Sequence, residues 1–233
     1  MTRRTAAAAS VALAALGAVC ACTSTSTADD ATATRSSDAT TTPSSDAPID
    51  ITRIPEDAPL EPGTYSMPFL TGDSTTRAIV VVPDGYTNHF SVIGSGDGDM
   101  AFWGRVRQVD TDPCLGGRHV GAGTTVHDLV SLLVAQRHMK TSNPVPVTIG
   151  GYHGVYLKST VPGYVDRCRG GVVTMYAGGG TWLQQDVPHA IFQAWILNVH
   201  GQRVVGGTRI IPDAAHGAEL SRMVTSAEFT VAD

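Results

Sequence analysis

Residues 191–211 read Ile191-Phe192-Gln193-Ala194-Trp195-Ile196-Leu197-Asn198-Val199-His200-Gly201-Gln202-Arg203-Val204-Val205-Gly206-Gly207-Thr208-Arg209-Ile210-Ile211. Two apolar runs rich in β-branched and aromatic side chains flank His200-Gly201. Such side chains favour extended backbone. A Gly in a two-residue turn supplies the positive φ that a tight hairpin demands. The stretch predicts a long antiparallel hairpin, Ile191–Val199 against Arg203–Ile211, at the heart of a sheet.

Working outward, further strands are expected near Ala78–Val82, His89–Ile93, Ala101–Val109, 145–149 and Val172–Tyr176, with a short last strand holding Phe229 and Val231. The first is closed by Pro83-Asp84-Gly85, a turn signal. Val155, Leu157, Ser159 and Val161 form one face of another strand, with Tyr156 and Lys158 on the other. Two helices interrupt the pattern. Thr125 to Met139 carries Val126, Leu129, Val130, Leu133 and Val134 on one stripe, and Thr125 with Asp128 makes a capping-box start. The second runs from about Ala214 to Ser226, with Leu220, Met223 and Val224 inward. The fold class is α+β: an antiparallel sheet of about seven to nine strands, carrying two amphipathic helices on one face.

The chain has 233 residues, 42% of them apolar and only 16% charged, and a net charge of −5. It holds two lysines, Lys140 and Lys158, and no basic cluster beyond Arg3-Arg4. Nucleic-acid binding needs massed Lys and Arg to neutralise phosphates, so no nucleic-acid partner is expected.

The N-terminus reads as an address. Met1–Arg4 is a short basic region, and Ala6–Val19 an uncharged apolar stretch of signal-peptide length. Leu16-Gly17-Ala18-Val19-Cys20-Ala21-Cys22 resembles a bacterial lipobox. Cys22 has Val19 three places before it and the small Ala21 directly before it; Cys20 has Gly17 and the β-branched Val19 there. Cys22 is read as the acylated residue, with an ordinary secretory signal as the alternative. Residues 23–49 hold 14 Ser or Thr and no aromatic residue, too little apolar surface to repay ordering. As a flexible coil such a tether spans on the order of 30 Å. The expected organisation is a lipoprotein signal peptide over 1–21, the lipidated Cys22 and disordered tether over 22–60, and one domain over 61–233. The expected partners are the lipid bilayer, through acylated Cys22 on the extracytoplasmic face of the cell membrane, and an envelope protein or ligand.

Cleavage before Cys22 removes Cys20, and the lipid takes Cys22, leaving Cys114 and Cys168. In an oxidising compartment the expectation is a disulfide between them. The competing reading is a two-Cys metal site with His119.

A resemblance covers about residues 60–230. Gly63-Thr64-Tyr65, Val82-Pro83-Asp84-Gly85-Tyr86, Asp112-Pro113-Cys114, the Thr125-Val126-His127-Asp128-Leu129-Val130 helix start, Gly150-Gly151-Tyr152-His153-Gly154, Trp195–Val199 and Ser226-Ala227-Glu228-Phe229 together resemble a group of uncharacterised actinobacterial secreted lipoproteins. The final helix running into a short strand is similar to PsbP-like and LpqN-like α/β sandwich domains. Neither resemblance supplies a catalytic residue.

Candidate chemistry is sparse. Gly94-Ser95-Gly96-Asp97-Gly98-Asp99 alternates Asp and Gly as Ca²⁺ loops do, but lacks the closing Glu and reads mainly as a turn. Asp110 and Asp112 form a second acidic pair. The eight histidines show no metal-ligand spacing. Neither G-x-S-x-G nor Ser-x-x-Lys occurs. Trp195 is assigned to the core; Trp182, after three glycines, is the candidate exposed aromatic. No catalytic residue, cofactor or metal is assigned. The reading is a non-enzymatic binding module, the alternative a secreted hydrolase acting on envelope material. Convergence of His153, His189, Asp186 and a Ser in one pocket would favour the hydrolase.

Overall fold

The computed structural model describes residues 47–70, 75–178 and 181–231, with backbone alone at 177, 178 and 181–185. The expected signal peptide, Cys22 and the tether through residue 46 lie outside the described residues. In chain order the strands are β1 (Ile49–Asp50), β2 (Pro59–Leu60), β3 (Gly63–Pro68), β4 (Thr76–Val82), β5 (Tyr86–His89), β6 (Val92–Ser95), β7 (Gly98–Trp103), β8 (Gln108–Asp110) and β9 (His119–Gly121). They continue as β10 (Lys140–Thr141), β11 (Val145–Ile149), β12 (Tyr152–Thr160), β13 (Val173–Gly178), β14 (Thr181–Gln185), β15 (Ile191–Val199), β16 (Gln202–Ile210) and β17 (Glu228–Val231). The helices are α1 (Val126–Val134) and α2 (Gly217–Thr225).

The chain is mostly β. Nine strands form one antiparallel sheet in the order β10-β12-β15-β16-β7-β6-β5-β2, with β11 beside β10 on the outer edge of β12. The β15–β16 hairpin is central, as its composition requires, and its register runs from Ile191↔Ile210 to Val199↔Gln202. His200 and Gly201 both take positive φ, 50° and 79°, the turn that matches strand twist. Two four-stranded sheets, β1-β3-β4-β17 and β14-β13-β8-β9, complete the fold.

The large sheet is covered on both faces. Met100 and Phe102 of β7 enter one core with Leu220, Met223 and Val224 of α2 and Val80 of β4. Ala101 and Trp103 enter the other with Leu129 and Leu133 of α1 and Met175 and Tyr176 of β13. The two helices therefore lie on opposite faces, not on the single face expected. Burial on both sides also explains why Ala194–Leu197 is a continuous apolar run rather than an alternation. Mid-strand glycines make room for this. A β-carbon at Gly206 would stand 2.7 Å from Val224 Cγ1, and one at Gly207 2.7 Å from Trp103 Cζ3.

Several boundaries differ from expectation. The strand expected at His89–Ile93 is a hairpin turn. Phe90 and Ser91 take φ of 53° and 65°, and His89 pairs with Val92. Apolar continuity concealed a turn made without glycine, fixed by Asn88 Oδ1 accepting the Ser91 amide. The strand expected at Ala101–Val109 breaks after Trp103, and its second half joins another sheet as β8. Helix α1 has the expected capping box, but it ends at Val134. Beyond it the buried Gln136 side chain donates to the carbonyls of Asp110 and Met175, and Arg137 N–H to that of Thr111. These long-range bonds replace the next helical turn.

The tether boundary drawn at residue 60 lies too late. Strand β1 pairs in parallel with β3, Ile51 is fully buried, and Leu60 is 3% exposed. Asn88 Nδ2 donates to the carbonyls of Ile54 and Pro55, fastening the segment to β5. Residues 49–60 belong to the domain.

The disulfide joins Cys114 to Cys168, with Cα atoms 4.5 Å apart. It links the loop after β8 to the 3₁₀ turns before β13 and seals a small apolar cluster with Val161, Val165 and Val173. His119 is not its ligand; it faces Asp110 instead.

Candidate functional site

Helix α1 carries a wider apolar arc than it buries. Leu129, Val130 and Leu133 enter the core. Val126 and Val134 flank them on the same stripe, and Val134 is 44% exposed. With Val130, and with Pro144 and Val155 from the β11 and β12 side, they line a groove of about 600 Å³. His127 and Ser131 supply polar side chains to its lining, and no charged residue does. The helical face of the groove rises about 12 Å along α1.

The groove borders the sheet edge at β11. Pro146 faces Val155 across the β11–β12 ladder. Proline has no N–H, so where Pro146 should offer its amide to an added strand it offers none. That edge resists strand addition, and recognition in the groove rests on side chains.

Two smaller cavities, about 390 and 430 Å³, meet at the start of α1 and share Arg203. Its guanidinium donates to the carbonyls of Val106, Ala122 and Thr125 at 2.7–2.9 Å. Burial also pushes its pKa below the usual guanidinium range. Arg203 is thus committed to holding the β7–β8 and β9–α1 connections, a role the sequence reading missed because its three acceptors are backbone atoms.

The Gly94–Asp99 loop is a turn. Ser95 pairs with Gly98, leaving Gly96-Asp97 as its tip. Asp97 accepts from the His216 amide at 3.0 Å and from its Nδ1, which depresses the Asp97 pKa and ties the tip to the start of α2. Asp99 pairs with Arg209 across the sheet. The two carboxylates have separate partners and do not form a common cage. Asp112 accepts from Leu115 N–H and pairs with His138 Nδ1 at 2.8 Å. Among the described residues no three His, Cys, Asp or Glu side chains are grouped to hold a metal.

His153, His189 and Asp186 do not converge. His153 stands at the start of β12, bonded to Thr148, whereas Asp186 and His189 lie in the loop before β15. The antiparallel register puts the two histidines at opposite ends of the β12–β15 ladder, roughly 30 Å apart. A different relay does occur. Thr87 Oγ1 lies 2.7 Å from His89 Nε2, and His89 Nδ1 lies 2.6 Å from Asp57 Oδ1. The His89 and Asp57 side chains are 47% and 72% exposed, and none of the cavities described here contains any of the three.

Trp195 is buried, as expected, and Trp103 is too. The side chain of Trp182 lies outside the described residues. No described helix is long and apolar enough to cross a membrane. Compared with family models, curated proteins and solved structures, the chain matches none.

Proposed function

We propose that the chain is an envelope lipoprotein, anchored through acylated Cys22 on the extracytoplasmic face, whose domain is a non-enzymatic binding module for a partner protein. The α1 groove carries this reading. It is open, aliphatic and free of charged lining, so it suits apolar side chains of a protein surface better than a ligand with a charged head group. The Cys114–Cys168 disulfide supports export, since such bonds persist in oxidising compartments. The sequence at Leu16–Cys22 and the resemblance to actinobacterial lipoproteins support the anchor.

Two experiments test the two halves. Cys22→Ala should leave unprocessed precursor or release the protein to the medium, while Cys20→Ala stays processed and membrane-bound; the reverse result moves the anchor to Cys20. For the groove, a random-peptide display library is selected on the domain. Enriched peptides should carry spaced aliphatic or aromatic residues and lose binding to Val134→Asp, a substitution at a half-exposed site. Equal enrichment on Val134→Asp overturns the reading. Saturable binding of a fluorescent C16 fatty acid that Val134→Asp abolishes would assign the groove to an acyl chain instead.

A second reading, a hydrolase acting on envelope material, rests on the Thr87–His89–Asp57 relay. Its atoms follow the order of a nucleophile, a base and an orienting carboxylate. Its solvent exposure counts against it, because such chemistry relies on a water-poor site. Covalent labelling by a fluorophosphonate probe that Thr87→Val abolishes would establish it.

A further inference from the structure

We propose that the cavity beside the disulfide is a binding site for a small zwitterion bearing an ammonium and a carboxylate, of amino-acid size. The cavity is about 450 Å³ and is distinct from the α1 groove. Three observations converge on this chemistry.

The first is a buried carboxyl group. Asp110 lines the cavity, yet its side chain is only 3% exposed. Its Oδ1 accepts the Asp112 amide at 3.0 Å, and its Oδ2 stands 3.8 Å from Nδ1 of the half-exposed His119. No Lys or Arg pairs with it among the described residues. A buried carboxyl group that no Lys or Arg faces suits a cation brought by a ligand.

The second is an unpaired positive charge in the same lining. Among the described residues, the Arg169 guanidinium makes no ion pair and no hydrogen bond. It lies over Gly116, where a β-carbon would meet its Nη1 at 2.9 Å and its Cδ at 3.0 Å. Arg169 is exposed, and close beside Gly116 its unpaired guanidinium leaves its fork open to a carboxylate.

The third is rigidity. Gly116 and Arg169 follow the two cysteines of the disulfide by two residues and one residue. Arg169 N–H donates to the Cys114 carbonyl at 2.7 Å, and Thr174 N–H to that of Pro113 at 2.9 Å. The bond therefore fixes the loop bearing Arg169 against the segment continuing from Asp110, so the backbones that carry both charges are set before a ligand arrives. The ammonium meets Asp110, the carboxylate meets Arg169, and Val172 borders the space left for a side chain.

Isothermal titration of the oxidised domain tests this. The probes are the twenty α-amino acids and 4-aminobutyrate, beside acetate and methylammonium as single-charge controls. At least one zwitterion should bind saturably below about 10 mM, with both controls weaker. Arg169→Gln should weaken it roughly tenfold or more and leave methylammonium unchanged. Asp110→Asn, whose amide oxygen can still accept from Asp112, should abolish the ammonium preference. Circular dichroism melts of both variants establish that they fold. No saturable zwitterion binding, or equal binding by folded Arg169→Gln, overturns the proposal.

Discussion

Ile51→Ala is the sharpest test of where the domain begins. Ile51 follows directly on the Ser/Thr-rich stretch, and a disordered tether through residue 60 would make its side chain irrelevant to stability. The structure instead buries it completely, beside a β1 strand that pairs with β3. Truncation to Ala removes three carbons from that position, about 2.4 kcal/mol at about 0.8 kcal/mol per buried methylene. The cavity left behind adds to this, but a segment near the end of the domain relaxes more than a central strand, so about 3 kcal/mol in total is expected. For a domain of this size that lowers Tm by roughly 6–12 °C. The assay is a thermal melt of a chain beginning at Ala47, with Ile49→Ala as control. Ile49 is 45% exposed, and its truncation should cost under about 1 kcal/mol. Deleting residues 47–60 outright is a poorer probe, because it also returns the ordering entropy of the segment. An Ile51→Ala melt within about 1 °C of the parent would refute the packed boundary.

Three further outcomes are expected. Cys114→Ser should cost about 4 kcal/mol on the chain-entropy model for a separation of 54 residues, read as a lower urea midpoint, and mass spectrometry of the parent without reductant should show two fewer hydrogens than the reduced form. Gly206→Ala should cost about 1–3 kcal/mol, because its β-carbon would collide with Val224 of α2; unchanged stability would show that α2 is not seated on β16 as described. Burial raises the pKa of Asp112, but the Leu115 amide and His138 outweigh it, so the net shift is below 3.8. A depressed carboxylate contributes stability above its unfolded value and loses it as pH falls through the folded one. The stability gap between the parent and Asp112→Asn should therefore be full at neutral pH and narrow as pH falls below 3.8; a gap that widens as pH falls would contradict this.

The parts of the fold that could be read from sequence are those where local chemistry and tertiary structure agree. His200-Gly201 sets a turn and the flanking runs set its strands, so the central hairpin was legible to within a residue. Thr125 and Asp128 close their capping box within four residues, so the start of α1 was legible, whereas its end was not. That end is decided by Gln136 reaching β8 and β13, and no local pattern announces it. The Phe90–Ser91 turn was hidden for a related reason: neither residue type favours positive φ, and a buried Asn88 enforces it. The groove was half legible. The stripe from Val126 to Val134 is visible in sequence, but which of its members the core leaves uncovered depends on where α1 meets the sheet. The Asp110–Arg169 cavity was illegible, because its two charges lie in separate segments that the disulfide brings together.

The two-sided burial of the large sheet determines where binding surfaces can lie. Its faces are taken by α2 with the β1-β3-β4-β17 sheet on one side, and by α1 with the β14-β13-β8-β9 sheet on the other. Recognition is therefore left to the outer layers. The chain enters the described domain at β1, in the first of those layers. The α1 groove and the Asp110–Arg169 cavity both belong to the second. The entry strand β1 and the two candidate sites thus lie on opposite sides of the large sheet, with about 10 Å for each pair of packed layers. No residue of β1, β3, β4 or β17 lines either site.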